Sequence, residues 1–242
     1  MGYLRRLFQA TEEENRRTIL EMLAPWPGAR LLDLGTSDGG FTLRVAERLG
    51  AGRVAGVELI EAHAAAARAR GIEVHRGDLA DGLPFDSERF DVVHANQVIE
   101  HVPRTDGLLA EVRRVLAPGG LVCISTNNLA SWHNVVSLAL GWQPMPIHVS
   151  DEVIVGNPLN PERGEPHAAG RTHLRLFTGR ALEELCAHHG LERISLRTAG
   201  YYPLPPRLAR LATRLDSLHG AFLVGTFRAA PAAGFASRAT AM

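Results

Sequence analysis

Residues 29–49, ARLLDLGTSDGGFTLRVAERL, carry the pattern that decides the fold. The segment 30–34 is a short, nearly continuous apolar run of the kind a strand covered on both faces requires. Gly35 and Gly39 let the chain turn close to a ligand, since neither carries a Cβ. The segment 40–49 then follows a helical pattern, so the unit reads as strand, turn, helix and aims backbone N–H groups at whatever sits above the turn. Asp33, two residues before Gly35, selects among ligands. A carboxylate there repels a pyrophosphate and accepts a hydrogen bond from a ligand ammonium.

Outward from this unit the same alternation continues. Strands are predicted at 54–58, 73–75, 90–95 and 121–125, and helices at 61–70 and 105–116. Apolar strands separated by helical segments imply a parallel sheet with helices on both faces. Upstream, a helix is predicted over 11–23, with Thr11 and Glu14 as a capping box, and Pro25 and Pro27 stop it. Downstream, from 127 to about 172, the alternation gives way to a stretch rich in Pro, Gly and His, a length of loop that points to function or disorder. Regular patterns return as a helix at 178–189, a strand at 191–198, a short helix ending near 218 and a last strand at 219–227. One domain spans residues 1–242, with an N-terminal helical segment over about 1–28, an insert over 127–172 and a frayed tail over 229–242.

Two further acids stand where the second and third strands end. Glu58 closes RVAGVE, about where a carboxylate takes both hydroxyls of a ribose. Asp78, in RGDLADGLPF, can receive an adenine amino group, with the backbone of Leu79 beside it. Acids at the carboxyl ends of consecutive strands face one crevice in a doubly wound sheet. Together they describe a zwitterion, a ribose and an adenine in sequence. A dinucleotide fingerprint needs three glycines as G-x-G-x-x-G, and Gly35, Ser37 and Gly40 supply two of them.

With LLDLGTSDGG, the acid of VAGVELI, GDLADGLPF, FDVVHANQVIEHV and RVLAPGGLVCIST in order, the chain resembles the class I S-adenosylmethionine-dependent methyltransferases. The resemblance runs from about 29 to 126 and more loosely to 227. It implies a Rossmann-like α/β fold with a seven-stranded, mostly parallel sheet in the order 3-2-1-4-5-7-6, helices on both faces and an inserted lid after the fifth strand. It also implies S-adenosyl-L-methionine as cofactor, with Asp33, Gly35, Ser37, Gly39, Glu58, Leu59, Asp78, Leu79 and Asn96 as its contacts. Ser37 departs from the pattern, which has glycine there.

Methyl transfer from a sulfonium needs proximity and alignment, and a base only if the acceptor carries a proton to be removed. Four histidines lie in or beside the insert: His133, His148, His167 and His173. His133, just after the fifth strand, is the first candidate base, and His101 at the rim of the crevice is the second. No HxH or HExxH spacing is present, so no metal site is expected. Trp132, Trp142, Met145, Tyr201 and Tyr202 are expected to wall the lid. The stripe Leu208, Leu211, Leu215 and Leu218, with Arg207, Arg210 and Arg214 beside it, is expected to pack in the core rather than rest on a membrane.

Lys plus Arg and Asp plus Glu each total 26, so no overall field favours nucleic acid. Cys123 and Cys186 are far apart and fit buried thiols of a reducing compartment. No apolar run reaches the roughly 18 residues of a spanning helix. The expectation is a cytoplasmic enzyme without stable membrane insertion, acting on a small molecule, most simply at oxygen. A homodimer stays open, as does a non-catalytic cofactor-binding protein.

Overall fold

The computed structural model describes residues 2–166 and 172–230. Seven strands form one sheet: β1 (Arg30–Leu34), β2 (Arg53–Glu58), β3 (Glu73–Arg76), β4 (Phe90–Asn96), β5 (Leu116–Asn127), β6 (Leu191–Ala199) and β7 (Phe222–Ala229). Their order is β3-β2-β1-β4-β5-β7-β6, as the motif resemblance implies. β7 runs antiparallel to both neighbours, and the remaining pairs are parallel. The helices are α1 (Tyr3–Met22), α2 (Gly40–Leu49), α3 (Glu61–Ala69), α4 (Thr105–Val115), α5 (Trp132–Ala139), α6 (Gly179–His188) and α7 (Pro206–Leu215).

The alternation of side chains along each strand divides the interior into two cores. Leu32, Leu34 and Val93 point to one face, where Leu108 of α4 and Leu182 of α6 cover them. Leu31 and Val92 point to the other, against Ile19 of α1 and Val45 and Leu49 of α2. Each fully buried leucine contributes about 1.5–3 kcal/mol, and the polar residues buried on the central strands, such as Asp33 and His94, are hydrogen-bonded to each other. The two cysteines are buried and unpaired, and burial pushes both thiols up to about 12. Thr178 caps α6, its hydroxyl accepting from the Ala181 N–H at 3.3 Å, which matches the helix start read from sequence.

Three expectations need correction. α1 begins at Tyr3 rather than Thr11, and the Thr11 hydroxyl donates to the Leu7 carbonyl inside the helix instead of capping it. Leu4, Leu7 and Phe8 pack with Met145 and Tyr202, so burial against the insert carries the helix upstream of the capping-box pattern. The leucine stripe of α7 faces outward: Leu208, Leu211, Leu215 and Leu218 are all more than half exposed, and only Ala209 of that helix is buried. The helix is held by its small Ala209 face, by the Arg210–Glu14 ion pair at 3.0 Å, and by the loop after it, where the Tyr201 hydroxyl donates to the Asp216 carbonyl. Ala229, expected to open the tail, belongs to β7, and the Ala230 N–H donates to the Gly190 carbonyl; the rest of the expected tail, residues 231–242, lies outside the described residues.

The insert is partly regular. It contains α5, and a polar frame holds the loop beyond it: Asn157 Nδ2 donates to the Ser137 hydroxyl and the Gln143 carbonyl, and the Met145 N–H donates to Asn134 Oδ1. Among the described residues no helix is long and apolar enough to cross a membrane.

Candidate active site

At the carboxyl end of β1 the chain enters the Gly35 turn, and a cavity of about 330 Å³ opens above it. Gly35 has φ +70, and a Cβ there would lie 2.7 Å from the Val98 side chain, so the turn admits no larger residue without displacing the β4 exit. Ser37 also adopts a left-handed conformation, φ +50, which costs a non-glycine residue roughly 1–2 kcal/mol. Its N–H donates to Glu58 Oε2 at 2.8 Å, while Glu58 Oε1 accepts from the Ile60 N–H at 2.9 Å. The acid at the end of β2 therefore holds the strained turn in shape.

Asp33 is buried and faces the cavity. It accepts from the Thr42 hydroxyl of α2 and from His94 Nδ1 at 2.6 Å, the two residues being register partners on β1 and β4. A carboxylate can only accept, so Nδ1 of His94 carries a proton and its Nε2 is turned away from Asp33. Among the described residues that buried Nε2 has no hydrogen-bond partner, and His94 lines the cavity. Asn96 lines it too, its Oδ1 accepting from Asn15 of α1 at 2.9 Å. Arg16 and Arg44 also line the cavity, each above the Phe41 ring, at 5.9 and 5.4 Å, and both pair with Glu13, at 3.6 and 2.9 Å. Acceptors and guanidiniums lining one cavity suit an amino acid, with its ammonium toward Asp33 and its carboxylate toward the arginines.

Asp33, Gly35, Ser37 and Asn96 are thus brought together, and Glu58 joins them through Ser37. Gly39, at φ +80, is the residue before α2, and it lets the helix start pass close to Ala67 and Ile72. Leu59 and Asp78 are exposed and Leu79 is half-buried on the first core; these three follow β2 and β3 and are not walls of this cavity. Asp78 Oδ1 accepts from the Ala80 N–H at 2.9 Å, which fixes the loop after β3.

A second cavity, of about 490 Å³, lies on the other side of the β4 exit. α1 serves both, with Arg16 facing the first and Glu12, one turn away, facing the second. The consecutive residues Asn96 and Gln97 divide them in the same manner, and Gln97 is held at φ +56. The apolar walls here are Phe8, Ile154 and Phe222 rather than the aromatic set expected from sequence. Met145 and Tyr202 sit behind Phe8, Trp132 is about half exposed with its indole N–H donating to Asp216 at 2.7 Å, and Tyr201 is tied to the Asp216 carbonyl.

His101, His148 and His173 line this second cavity. His101 Nδ1 is 3.1 Å from the Thr172 carbonyl, and burial lowers its pKa. His133 lies elsewhere: it is buried on α5 with its ring edge-on to Tyr202 at 5.8 Å, and burial lowers its pKa to about 4. His167 lies outside the described residues. Beside His101, Glu100 is fully buried, accepting from the Thr126 hydroxyl at 2.9 Å and from Asn127 at 3.2 Å; burial raises its pKa to about 7 against the pull of those bonds. The sequence reading overlooked His94, Arg16 and Arg44. His94 had a signal, since parallel neighbours β1 and β4 place it beside Asp33, whereas nothing local marks the arginines.

Comparison with known proteins agrees with the sheet order. A methyltransferase-domain family matches residues 3–196. A trans-aconitate 2-methyltransferase of Acidovorax sp. (strain JS42) is 34% identical over 123 residues, covering 49% of this chain and 47% of that protein. A ubiquinone biosynthesis O-methyltransferase of Brucella anthropi is 33% identical over 111 residues, 43% of each. The chain thus spans about half the length of the relatives it matches in sequence. An S-adenosylmethionine-dependent methyltransferase from Mesorhizobium loti has the same fold, with a TM-score of 0.59 at 21% identity over 88% of this chain and 96% of that one. With the family match spanning most of its length and the sheet order observed, the chain belongs to the methyltransferase-domain family, the class I, S-adenosylmethionine-dependent group its motifs resemble.

Proposed function

We propose that this protein transfers the methyl group of S-adenosylmethionine to an oxygen of a small molecule held in the second cavity. The observation that carries the reading is the pair of cavities meeting at Asn96 and Gln97 under one helix. The methionine moiety occupies the first cavity, among Asp33, His94, Arg16 and Arg44. The ribose reaches Glu58, and the adenine lies along Leu59, Asp78 and Leu79. Its sulfonium then faces the β4 exit, and the acceptor approaches from beyond Gln97. The methyl passes in line from sulfur to oxygen, sulfur keeps the bonding pair, and the proton that a hydroxyl acceptor loses passes to water. The relative named for ubiquinone biosynthesis is an O-methyltransferase, which favours oxygen as the atom modified.

His101 is the imidazole on the acceptor side. His133, one layer back against Tyr202, acts as a positioning residue for α5, and the insert acts as the lid. Purified protein is to be incubated with S-adenosylmethionine and a panel of small hydroxyl- and carboxyl-bearing acceptors while the demethylated cofactor is measured. Turnover with at least one, abolished by Ile154→Trp with cofactor affinity unchanged, supports the reading. Cofactor binding without turnover on any acceptor leaves a binding protein, and full turnover in Ile154→Trp puts the acceptor elsewhere.

A further inference from the structure

Three groups with metal-binding atoms converge at one end of the second cavity, although they come from two distant parts of the chain. Glu100 and His101 follow β4, and His173 returns from the insert. One candidate ligand atom from each lies within 4.8 Å of the other two. Bonds of about 2.0–2.2 Å to a common ion set ligand atoms roughly 3 to 4 Å apart, so closure of about 1 Å would complete the set.

The surroundings are already arranged for such an ion. His101 Nδ1 faces the Thr172 carbonyl at 3.1 Å and His173 Nδ1 faces the Pro146 carbonyl at 2.6 Å. A carbonyl only accepts, so both rings carry a proton on Nδ1 and turn Nε2 the other way. This is how a ligating imidazole is oriented by its outer partner. The Asn127 amide, which donates to Glu100 Oε1 at 3.2 Å, lies 3.5 Å from His173 Nε2, and an ion would take its place there. The rings lie side by side, centroids 4.7 Å apart. The Glu100 carboxylate is held by the neutral Thr126 hydroxyl and Asn127 amide, and among the described residues no cationic side chain reaches ion-pair distance of it. The segment carrying His173 is pinned at the same place: the Leu174 N–H donates to the Glu100 carbonyl at 2.8 Å, and Arg175 donates to the Val102 and Pro103 carbonyls at 3.0 and 2.8 Å. Glu12, Glu162 and Glu165 also line the cavity, Glu165 paired with Arg5 at 3.5 Å.

We propose that Glu100, His101 and His173 bind a divalent transition-metal cation at the end of the second cavity. Two imidazoles and one carboxylate suit the borderline ions of the first row and leave coordination positions open toward the cavity. The ion's part in catalysis, receiving the acceptor oxygen and lowering its pKa, rests on the acceptor reading above; its binding does not.

The test is a Co²⁺ titration of the full chain after chelator treatment and desalting, followed by visible d–d absorption without cofactor or acceptor. One Co²⁺ per chain is expected, with a band characteristic of imidazole ligation. His173→Ala, which alters a half-buried loop side chain, should weaken binding at least about tenfold, and Glu100→Gln should do the same while circular dichroism shows the fold retained. His188→Ala removes one member of the second group of potential ligands, Asp106, His188 and His189 on the surface, and should leave the band unchanged. Absence of any band, equal affinity in His173→Ala, or loss of the band in His188→Ala would each overturn the site. Since no acceptor takes part, a failed acceptor screen leaves this result standing, and a failed titration leaves the acceptor screen standing.

Discussion

The two cavities are built in opposite ways. The first is assembled from strand ends and the turns that follow them, so most of its walls belong to the frame: Asp33, Gly35, Ser37 and His94 sit on or directly after β1 and β4. The second takes its walls from α1, the β4 exit, the insert and β7, segments far apart in the chain. One is part of the sheet and inherits its rigidity. The other exists only when the insert is docked, and its order depends on hydrogen bonds such as those of Arg175 and Asn157. On the proposed reading, a fold built this way keeps the cofactor site constant and lets the acceptor site vary with the insert.

The sharpest way to break the comparison is Asp33→Ala. It leaves the Thr42 hydroxyl and His94 Nδ1 without their acceptor inside the frame, so the fold should lose about 3–5 kcal/mol and cofactor affinity should fall at least about a hundredfold. Denaturant unfolding and calorimetry read the two effects. A variant of normal stability and affinity would show that the first cavity does not depend on the sheet.

His133 probes the insert side. With a folded pKa of about 4 against 6.5 unfolded, the unfolded chain takes up a proton as pH falls from 6.5 to 4 while the folded chain does not. Stability therefore declines through that window, by about 3 kcal/mol in total from this group. The contribution to pH dependence should disappear in His133→Asn, measured as the difference between wild-type and variant unfolding curves across the window. Parallel curves would mean that the imidazole is hydrated and that α5 is loosely docked.

Glu58→Ala tests how the frame supports its own turn. Removing the acceptor of the Ser37 and Ile60 N–H groups should weaken cofactor binding by about 1–3 kcal/mol while the protein stays folded. An unchanged dissociation constant would detach Glu58 from the cofactor.

The smallest effect is expected for Ser37→Gly. Glycine relieves the φ +50 conformation but gives the unfolded chain more freedom, so the net gain should not exceed about 1 kcal/mol, seen as a modest rise in Tm. A fall in Tm would show that the serine side chain contributes more than its backbone strain costs.

How much of this was legible depends on distance along the chain. The alternation of strands and helices over 30–125, the Gly35 turn and the acids at strand ends are local patterns, and they survive in the structure because each element's periodicity must match the face it buries. The start of α1 and the outward leucines of α7 were misread for the complementary reason, since burial there is set by contacts with Tyr202 and Met145 in one case and by Ala209 in the other.

The sequence alone determined the sheet, the cofactor turn and the presence of an irregular insert, because short-range spacing encodes each of them. Only the tertiary structure decided that Asn96 and Gln97 separate two cavities, that α1 brings Arg16 to one and Glu12 to the other, and that His173 meets Glu100 and His101. Those meetings depend on the path of a loop whose backbone partners, the carbonyls of Glu100, Val102 and Pro103, are the same in every sequence. A carbonyl leaves no signature in the residue it belongs to, and so the folded chain is the first place where the convergence can be seen.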